Sequence, residues 1–76
     1  MTIEEKFGIS IRQRRIELGI SQVELGDRAS LHRTYIGSIE RGERNISLLN
    51  IISLCDALKI KPSELMVQLD DFVRTK

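Results

Sequence analysis

The stretch that decides the fold is Gln22–Gly42, QVELGDRASLHRTYIGSIERG. Its apolar residues recur at spacings that suit two short helices crossing around one buried seam: Leu25, Ala29, Leu31, Ile36 and Ile39. Ser21 is the predicted N-cap of the first helix, because its hydroxyl and the Glu24 carboxylate can each accept from an unpaired backbone N–H. Gly26 lets the two backbones approach closely. The stretch therefore predicts two helices joined by a tight turn at residues 29–31.

The same stretch resembles the helix-turn-helix of the phage repressor and Cro (XRE) family. Within it, HRTYIGSIERGERN is similar to the controller proteins of restriction–modification systems, small dimeric regulators of that family. The resemblance implies an all-α, five-helix, lambda-repressor-like domain with the helix-turn-helix at helices 2 and 3, the third being the recognition helix in the major groove. The family usually has glycine or asparagine where Ser30 stands, since the turn needs a positive φ, which serine adopts only at some cost.

Length and composition fit one compact helical domain over residues 1–76. The chain is 41% apolar and 30% charged with one proline, and its net charge is +1. The single cysteine cannot form an internal disulfide, and no signal peptide or long apolar run opens the chain. We therefore expect the protein in the cytoplasm, with no membrane partner.

No catalytic or metal-binding constellation is present in the sequence. The one histidine and one cysteine have no ligand spacing, and there is no phosphate-binding glycine loop or nucleophile elbow. We expect no enzyme activity, no cofactor, no metal and no small-molecule ligand. Cys55 lies on an apolar helical face and is expected to pack in the core, a redox switch being the alternative.

Three further helices complete the predicted fold, over about Ile3–Leu18, Leu48–Leu58 and Pro62–Arg74. Gly19 follows the first of them, Ser47 can cap the second, and proline suits the first turn of the third. The segment RRIELG also resembles the family segment whose arginine pairs with the glutamate of the recognition helix. That resemblance implies a structural ion pair between Arg15 and Glu40.

Base reading is expected from the start of the recognition helix. Arg33 can donate two hydrogen bonds to guanine, and Thr34 offers a methyl group for thymine. His32 is the predicted N-cap and is equally a candidate for DNA contact, while Ser38 lies one turn after Thr34 and is a further base-reading candidate. Gly37 either permits a close approach to DNA or is neutral.

DNA-backbone contacts are expected around this helix. The resemblance implies them for Gln22, Tyr35, Arg44 and Asn45, and Ser47 and Asn50 are further candidates. Arg41 is either a surface charge or a phosphate contact.

Apolar residues on the last two helices exceed what one core needs, which favours a homodimer. The predicted dimer interface comprises Leu49, Ile60, Leu65, Met66, Leu69, Phe72 and Val73. The alternative is a monomer in which the apolar residues of the last helix all pack into its own core. A two-fold dimer would place two recognition helices about 34 Å apart and would bind a palindromic site.

The sequence thus predicts a dimeric, sequence-specific transcriptional regulator. By resemblance it is the controller of a restriction–modification operon acting on its own promoter, with operator DNA, a second copy of the chain and RNA polymerase as partners. Two alternatives stay open. One is another XRE-type repressor, of phage or antitoxin type. The other is a protein-interaction module that has kept the fold and lost DNA binding.

Overall fold

The computed structural model describes residues 1–75, which form five α-helices. These are α1 (Ile3–Glu17), α2 (Gln22–Ala29), α3 (Arg33–Glu40), α4 (Leu48–Ala57) and α5 (Pro62–Arg74). The all-α, five-helix prediction is confirmed. The helices α1 and α4 each end one residue earlier than predicted, because Leu18 and Leu58 are their C-caps. None of the helices in residues 1–75 is long and apolar enough to span a bilayer.

The helix starts follow local capping chemistry. The Ser21 hydroxyl accepts from the Glu24 N–H at 3.0 Å, as predicted. The Glu24 carboxylate does not return to Ser21, however, and instead binds Arg28 one turn later at 2.8 Å. The reciprocal capping box lies at α1, where Thr2 and Glu5 satisfy each other's N–H groups at 3.1 and 2.7 Å. Sequence analysis did not predict this capping box at α1.

One core joins all five helices. Its fully buried side chains are Ile11, Leu25, Ile36, Ile39, Leu54, Cys55, Leu58 and Leu65. Cys55 packs in this core as predicted, and burial raises the pKa of its thiol. The placement of Leu65 in a dimer interface is wrong, because its side chain is only 1% exposed. It lies on the inner face of α5, which packs against α1 and α4.

The turn between α2 and α3 has the geometry that the sequence predicts. Ser30 is left-handed, with φ 58° and ψ 40°, and the next N–H, that of Leu31, donates to the Gly26 carbonyl at 2.8 Å. A β-carbon on Gly26 would collide with the Leu31 carbonyl oxygen. Glycine therefore permits the close approach of the turn to α2.

Replacing Ser30 by glycine should stabilise the protein. An L-residue in the left-handed region costs energy that glycine does not, so we expect the free energy of unfolding to rise by about 0.5 to 1 kcal/mol in urea denaturation. Ser63→Gly is the matched control, because Ser63 lies in the first turn of α5, where glycine relieves nothing. A Ser30→Gly protein less stable than the wild type would contradict this account of the turn.

Candidate nucleic-acid interface

The exposed start of α3 carries the predicted base-reading residues. His32 caps the helix as predicted, its Nδ1 accepting from the Thr34 N–H at 3.1 Å. Arg33 and Thr34 follow with exposed side chains. The cap satisfies a first-turn N–H of α3 and so stabilises the helix start that carries these two exposed side chains.

A cleft lies between the start of α2 and one side of α3. It is lined by Arg15, Ser21, Gln22, Val23, Arg33, Thr34, Gly37 and Arg41. The cleft unites three predicted DNA-contact residues, Gln22, Arg33 and Thr34, with the guanidinium of Arg41. The first-turn N–H groups of α2 have no intrahelical partners, and a helix N-terminus favours anions. The arrangement suits a phosphate group.

Gly37 leaves space that the protein's own side chains use. A β-carbon there would lie 3.1 Å from Arg41 Nη1 and 3.5 Å from Gln22 Oε1. Both neighbours are ends of flexible side chains. The missing side chain therefore makes room for Arg41 and Gln22 at the cleft, a role that sequence analysis did not assign to it.

The predicted Arg15–Glu40 ion pair is present and ties α1 to α3. Arg15 Nε and Nη2 donate to the two carboxylate oxygens of Glu40 at 2.7 and 3.0 Å, and Nη1 donates to the Ile20 carbonyl at 3.0 Å. The hydrogen bonds to Glu40 raise the pKa of the Arg15 guanidinium. Gln22 Nε2 donates to the same carboxylate at 3.1 Å, which holds its side chain at the cleft.

A second, exposed pair lies at the rim of the cleft. Arg41 donates to both carboxylate oxygens of Glu43, at 2.9 and 3.2 Å. These hydrogen bonds lower the pKa of Glu43 and raise that of Arg41. The pair places the Arg41 guanidinium near Gln22, on the side of α3 that Gly37 leaves open.

Four residues that were predicted as separate DNA contacts form one connected group, the Tyr35 network, consisting of Tyr35, Ser38, Arg44 and Asn50. Ser38 Oγ donates to the Tyr35 carbonyl at 2.7 Å and accepts from Arg44 Nε at 3.1 Å. The Arg44 guanidinium lies 5.5 Å from the centre of the Tyr35 ring. Asn50 Nδ2 donates to the Tyr35 hydroxyl at 3.3 Å. The network joins α3, the following loop and α4.

The interpretation of Ser38 as a base-reading residue is corrected by this network. Ser38 is only 5% exposed, and its hydroxyl is fully engaged within the protein. Ser47 caps α4, its hydroxyl accepting from the Asn50 N–H at 3.2 Å. Asn45 is exposed in the loop, where it lines a groove together with Arg44 and α1 residues, away from the cleft.

Six large apolar residues on α4 and α5 are exposed: Leu48, Leu49, Ile52, Met66, Val67 and Val73, with Leu48 and Leu49 74% and 75% exposed. The predicted dimer residues Leu49, Met66 and Val73 are among them. Ile60 and Leu69 are half-buried and pack against the core, and Phe72 is half-buried. Sequence analysis missed Leu48, Ile52 and Val67, since apolar spacing alone does not show which residues a core covers.

Residues 1–75 contain no group of three or more His, Cys, Asp or Glu side chains suited to a metal ion. What the surface offers is cationic and polar: guanidinium groups, amides and hydroxyls around an exposed helix start. Such groups suit recognition of a polyanion, since each donates hydrogen bonds to phosphate or base edges.

Comparison with known proteins agrees with this geometry. Residues 11–65 match the helix-turn-helix family (HTH_3). The chain is similar to control protein C.BamHI of Bacillus amyloliquefaciens, with 46% identity over 61 residues that cover 79% of this chain and 75% of that protein. It is also similar to control protein C.SmaI of Serratia marcescens, with 40% identity over 68 residues that cover 90% and 81%.

A solved structure shows the same architecture. The crystal structure of the restriction–modification controller protein C.AhdI from Aeromonas hydrophila matches with a TM-score of 0.79 at 47% identity, covering 82% of this chain and 94% of that one. The resemblance stated from the sequence is thereby confirmed. The chain belongs to the XRE-type helix-turn-helix family of DNA-binding transcriptional regulators, in which its relatives include restriction–modification controller proteins.

Proposed function

We propose that the protein is the controller of a restriction–modification operon, which binds operator DNA at its own promoter as a homodimer. One observation supports the proposal: the exposed start of α3 carries Arg33 and Thr34 in the same cleft as Gln22 and Arg41, and the Tyr35 network begins on the same helix. The protein acts by binding rather than by catalysis, in the cytoplasm where its promoter lies. RNA polymerase is its further partner when it activates transcription.

In this proposal, the two sides of α3 have complementary roles. On one side, Gln22, Arg41 and the N-terminus of α2 bind a phosphate. On the other side, Tyr35 and Arg44 bind the backbone further along, with Asn45 and Ser47 beside them. Backbone contacts on both sides fix the register of the domain, so that Arg33, Thr34 and His32 meet base edges.

Arg33→Ala should weaken binding to the operator more than it weakens binding to random DNA. A bidentate arginine–guanine contact discriminates by about 1 to 3 kcal/mol, whereas phosphate contacts do not depend on sequence. We expect a loss of that size on the operator and a much smaller loss on random duplex, measured by fluorescence anisotropy. Arg74→Ala, which removes an exposed arginine near the end of α5, controls for net charge. Equal losses on operator and random DNA would show that Arg33 does not read bases.

Leu49→Glu should convert the dimer into a monomer. The Leu49 side chain is three-quarters exposed, so a charge there leaves the monomer core intact while opposing burial between two copies. Sedimentation velocity should show the monomer, and operator binding should weaken with it. Ile16→Glu is the control, because Ile16 is an exposed apolar residue of α1 and does not belong to the predicted dimer interface. An unchanged sedimentation coefficient for Leu49→Glu would place the interface elsewhere.

Transcription in vitro tests the regulatory proposal. A template carrying the DNA upstream of this gene, with purified RNA polymerase, should give transcript levels that change as the protein is added. The change should disappear when the operator is scrambled. A transcript level that is independent of the protein on both templates would favour the alternative of a protein-interaction module.

A further inference from the structure

We propose that Ser38 and Asn50 are positioning residues for DNA binding. They hold the Arg44 guanidinium and the Tyr35 hydroxyl where these two groups meet the sugar–phosphate backbone, and they do not touch DNA themselves. The inference rests on the proposed DNA-binding function. It assigns to two polar residues a role that their spacing in the sequence does not suggest.

Ser38 is built into the protein as a fixed acceptor for Arg44. Its hydroxyl proton is committed to the Tyr35 carbonyl one turn earlier, at 2.7 Å, so a lone pair remains to accept from Arg44 Nε at 3.1 Å. The residue is buried, which prevents water from exchanging freely for the arginine. Ser38 therefore restrains a loop side chain from inside α3.

The restraint leaves the binding end of Arg44 available. Within residues 1–75, its two terminal guanidinium nitrogens make no hydrogen bond, and the side chain is exposed. The guanidinium also lies over the Tyr35 ring, where the cation is attracted to the ring face. Holding a long side chain in place before the ligand arrives reduces the entropy lost on binding.

Asn50 acts on the Tyr35 hydroxyl in the same way. A phenol oxygen can both accept and donate a hydrogen bond. Here it accepts one from Asn50 Nδ2 at 3.3 Å. The hydroxyl proton remains for an external acceptor. Phosphate oxygens only accept hydrogen bonds, so this orientation suits them. Asn50 thereby prepares the tyrosine as a donor.

The first test uses the free protein. The Arg44 Nε–H should give a protected side-chain signal in a nitrogen–proton NMR spectrum, because it is hydrogen-bonded to a buried hydroxyl. Ser38→Ala should accelerate exchange of the Arg44 Nε–H with water by about tenfold or more, because loss of a charge-assisted hydrogen bond shifts the open–closed equilibrium of the side chain by about that factor. Ser10→Ala is the matched control, since Ser10 is also buried on a helix and its hydroxyl has no partner within residues 1–75. Unchanged Arg44 exchange in Ser38→Ala would overturn the inference.

The second test is a pair of double-mutant cycles on operator DNA. Ser38→Ala should weaken binding by about 2- to 10-fold in the wild type, and by nothing further when Arg44 is already alanine. Asn50→Ala should behave in the same way with Tyr35→Phe, which removes the hydroxyl and keeps the ring. Urea unfolding of each variant accompanies the cycles. A loss that persists in the Arg44→Ala or Tyr35→Phe background would show an independent role for the serine or the asparagine, and would overturn the inference.

The two tests separate this inference from the proposed function. A wild-type protein that binds the operator no better than random duplex contradicts the proposed function, and the NMR exchange of Arg44 still decides whether Ser38 positions it. If the wild-type protein prefers its operator but the two substitutions in each cycle have additive effects, the proposed function is supported and only the positioning roles of Ser38 and Asn50 are overturned.

Discussion

Replacing Arg15 by alanine is expected to lower the free energy of unfolding by about 3 to 5 kcal/mol, because the change leaves the Glu40 carboxylate buried without its cationic partner. The two side chains are 13% and 3% exposed, and they share two hydrogen bonds of 2.7 and 3.0 Å. A loss of this size approaches the whole stability of a small domain. Urea denaturation followed by circular dichroism measures it.

Two further variants show whether the loss comes from the stranded charge. Arg12→Ala removes an exposed arginine from the same helix and should change stability by less than about 0.5 kcal/mol. Replacing both partners by apolar residues, Arg15→Met with Glu40→Leu, should recover much of the stability. If Arg15→Ala cost no more than Arg12→Ala, the pair would not hold α1 to α3.

Gly8→Ala should destabilise the protein by about 3 kcal/mol, because added volume at a close-packed contact forces backbones apart. Gly8 lies where α1 crosses the end of α3, and an added β-carbon would collide with the Ile39 carbonyl oxygen and lie 2.7 Å from that of Glu40. Both obstacles are backbone atoms and cannot rotate away. Thermal and urea unfolding of the variant measure the effect.

Gly37→Ala is the matched comparison within α3. Its β-carbon would lie 3.1 Å from Arg41 Nη1, the end of a flexible side chain, and in ordinary contact with Gln22 Oε1 at 3.5 Å, and alanine favours a helix by about 0.5 to 1 kcal/mol over glycine. We expect this variant to be more stable than the wild type and to bind DNA more weakly, because it displaces the Arg41 guanidinium at the cleft. A Gly8→Ala protein as stable as Gly37→Ala would contradict the close contact between α1 and α3.

Helix starts could be predicted because their signals are local. Ser21, His32 and Ser47 each accept a hydrogen bond from a first-turn N–H, and Pro62 opens α5, all within a few residues of the helix start. The left-handed conformation of Ser30 was expected from the resemblance, since the family usually has glycine or asparagine at that position. Local chemistry does not depend on how the helices later pack.

Side-chain environments beyond the caps depend on packing, and two predictions failed there. Ser38 follows Thr34 by four residues, but each four-residue step rotates about 40° around a helix, which is enough to turn it inward beside the core. Leu65 shares an apolar stripe with residues that stay exposed, and the crossing of α5 over α1 and α4 decides which of them the core covers. Neither crossing angles nor loop paths are encoded in residue spacing.

The Tyr35 network shows the same limit. Tyr35, Arg44 and Asn50 come from a helix, a loop and the next helix, and only the folded chain brings them together. Tyr35 and Arg44 were predicted as DNA contacts by resemblance, and Asn50 was a further candidate. Their mutual restraint was not, because no local pattern relates residue 35 to residues 44 and 50.

Competitive gel-shift titration tests the central claim, sequence-specific DNA binding, most directly. Labelled duplex from the region upstream of this gene is titrated with protein against excess random duplex, at two salt concentrations. The account predicts a complex that survives the competitor and weakens as salt rises, because base contacts give preference and phosphate contacts give salt dependence. Displacement of the labelled DNA by an equal amount of random duplex would contradict it.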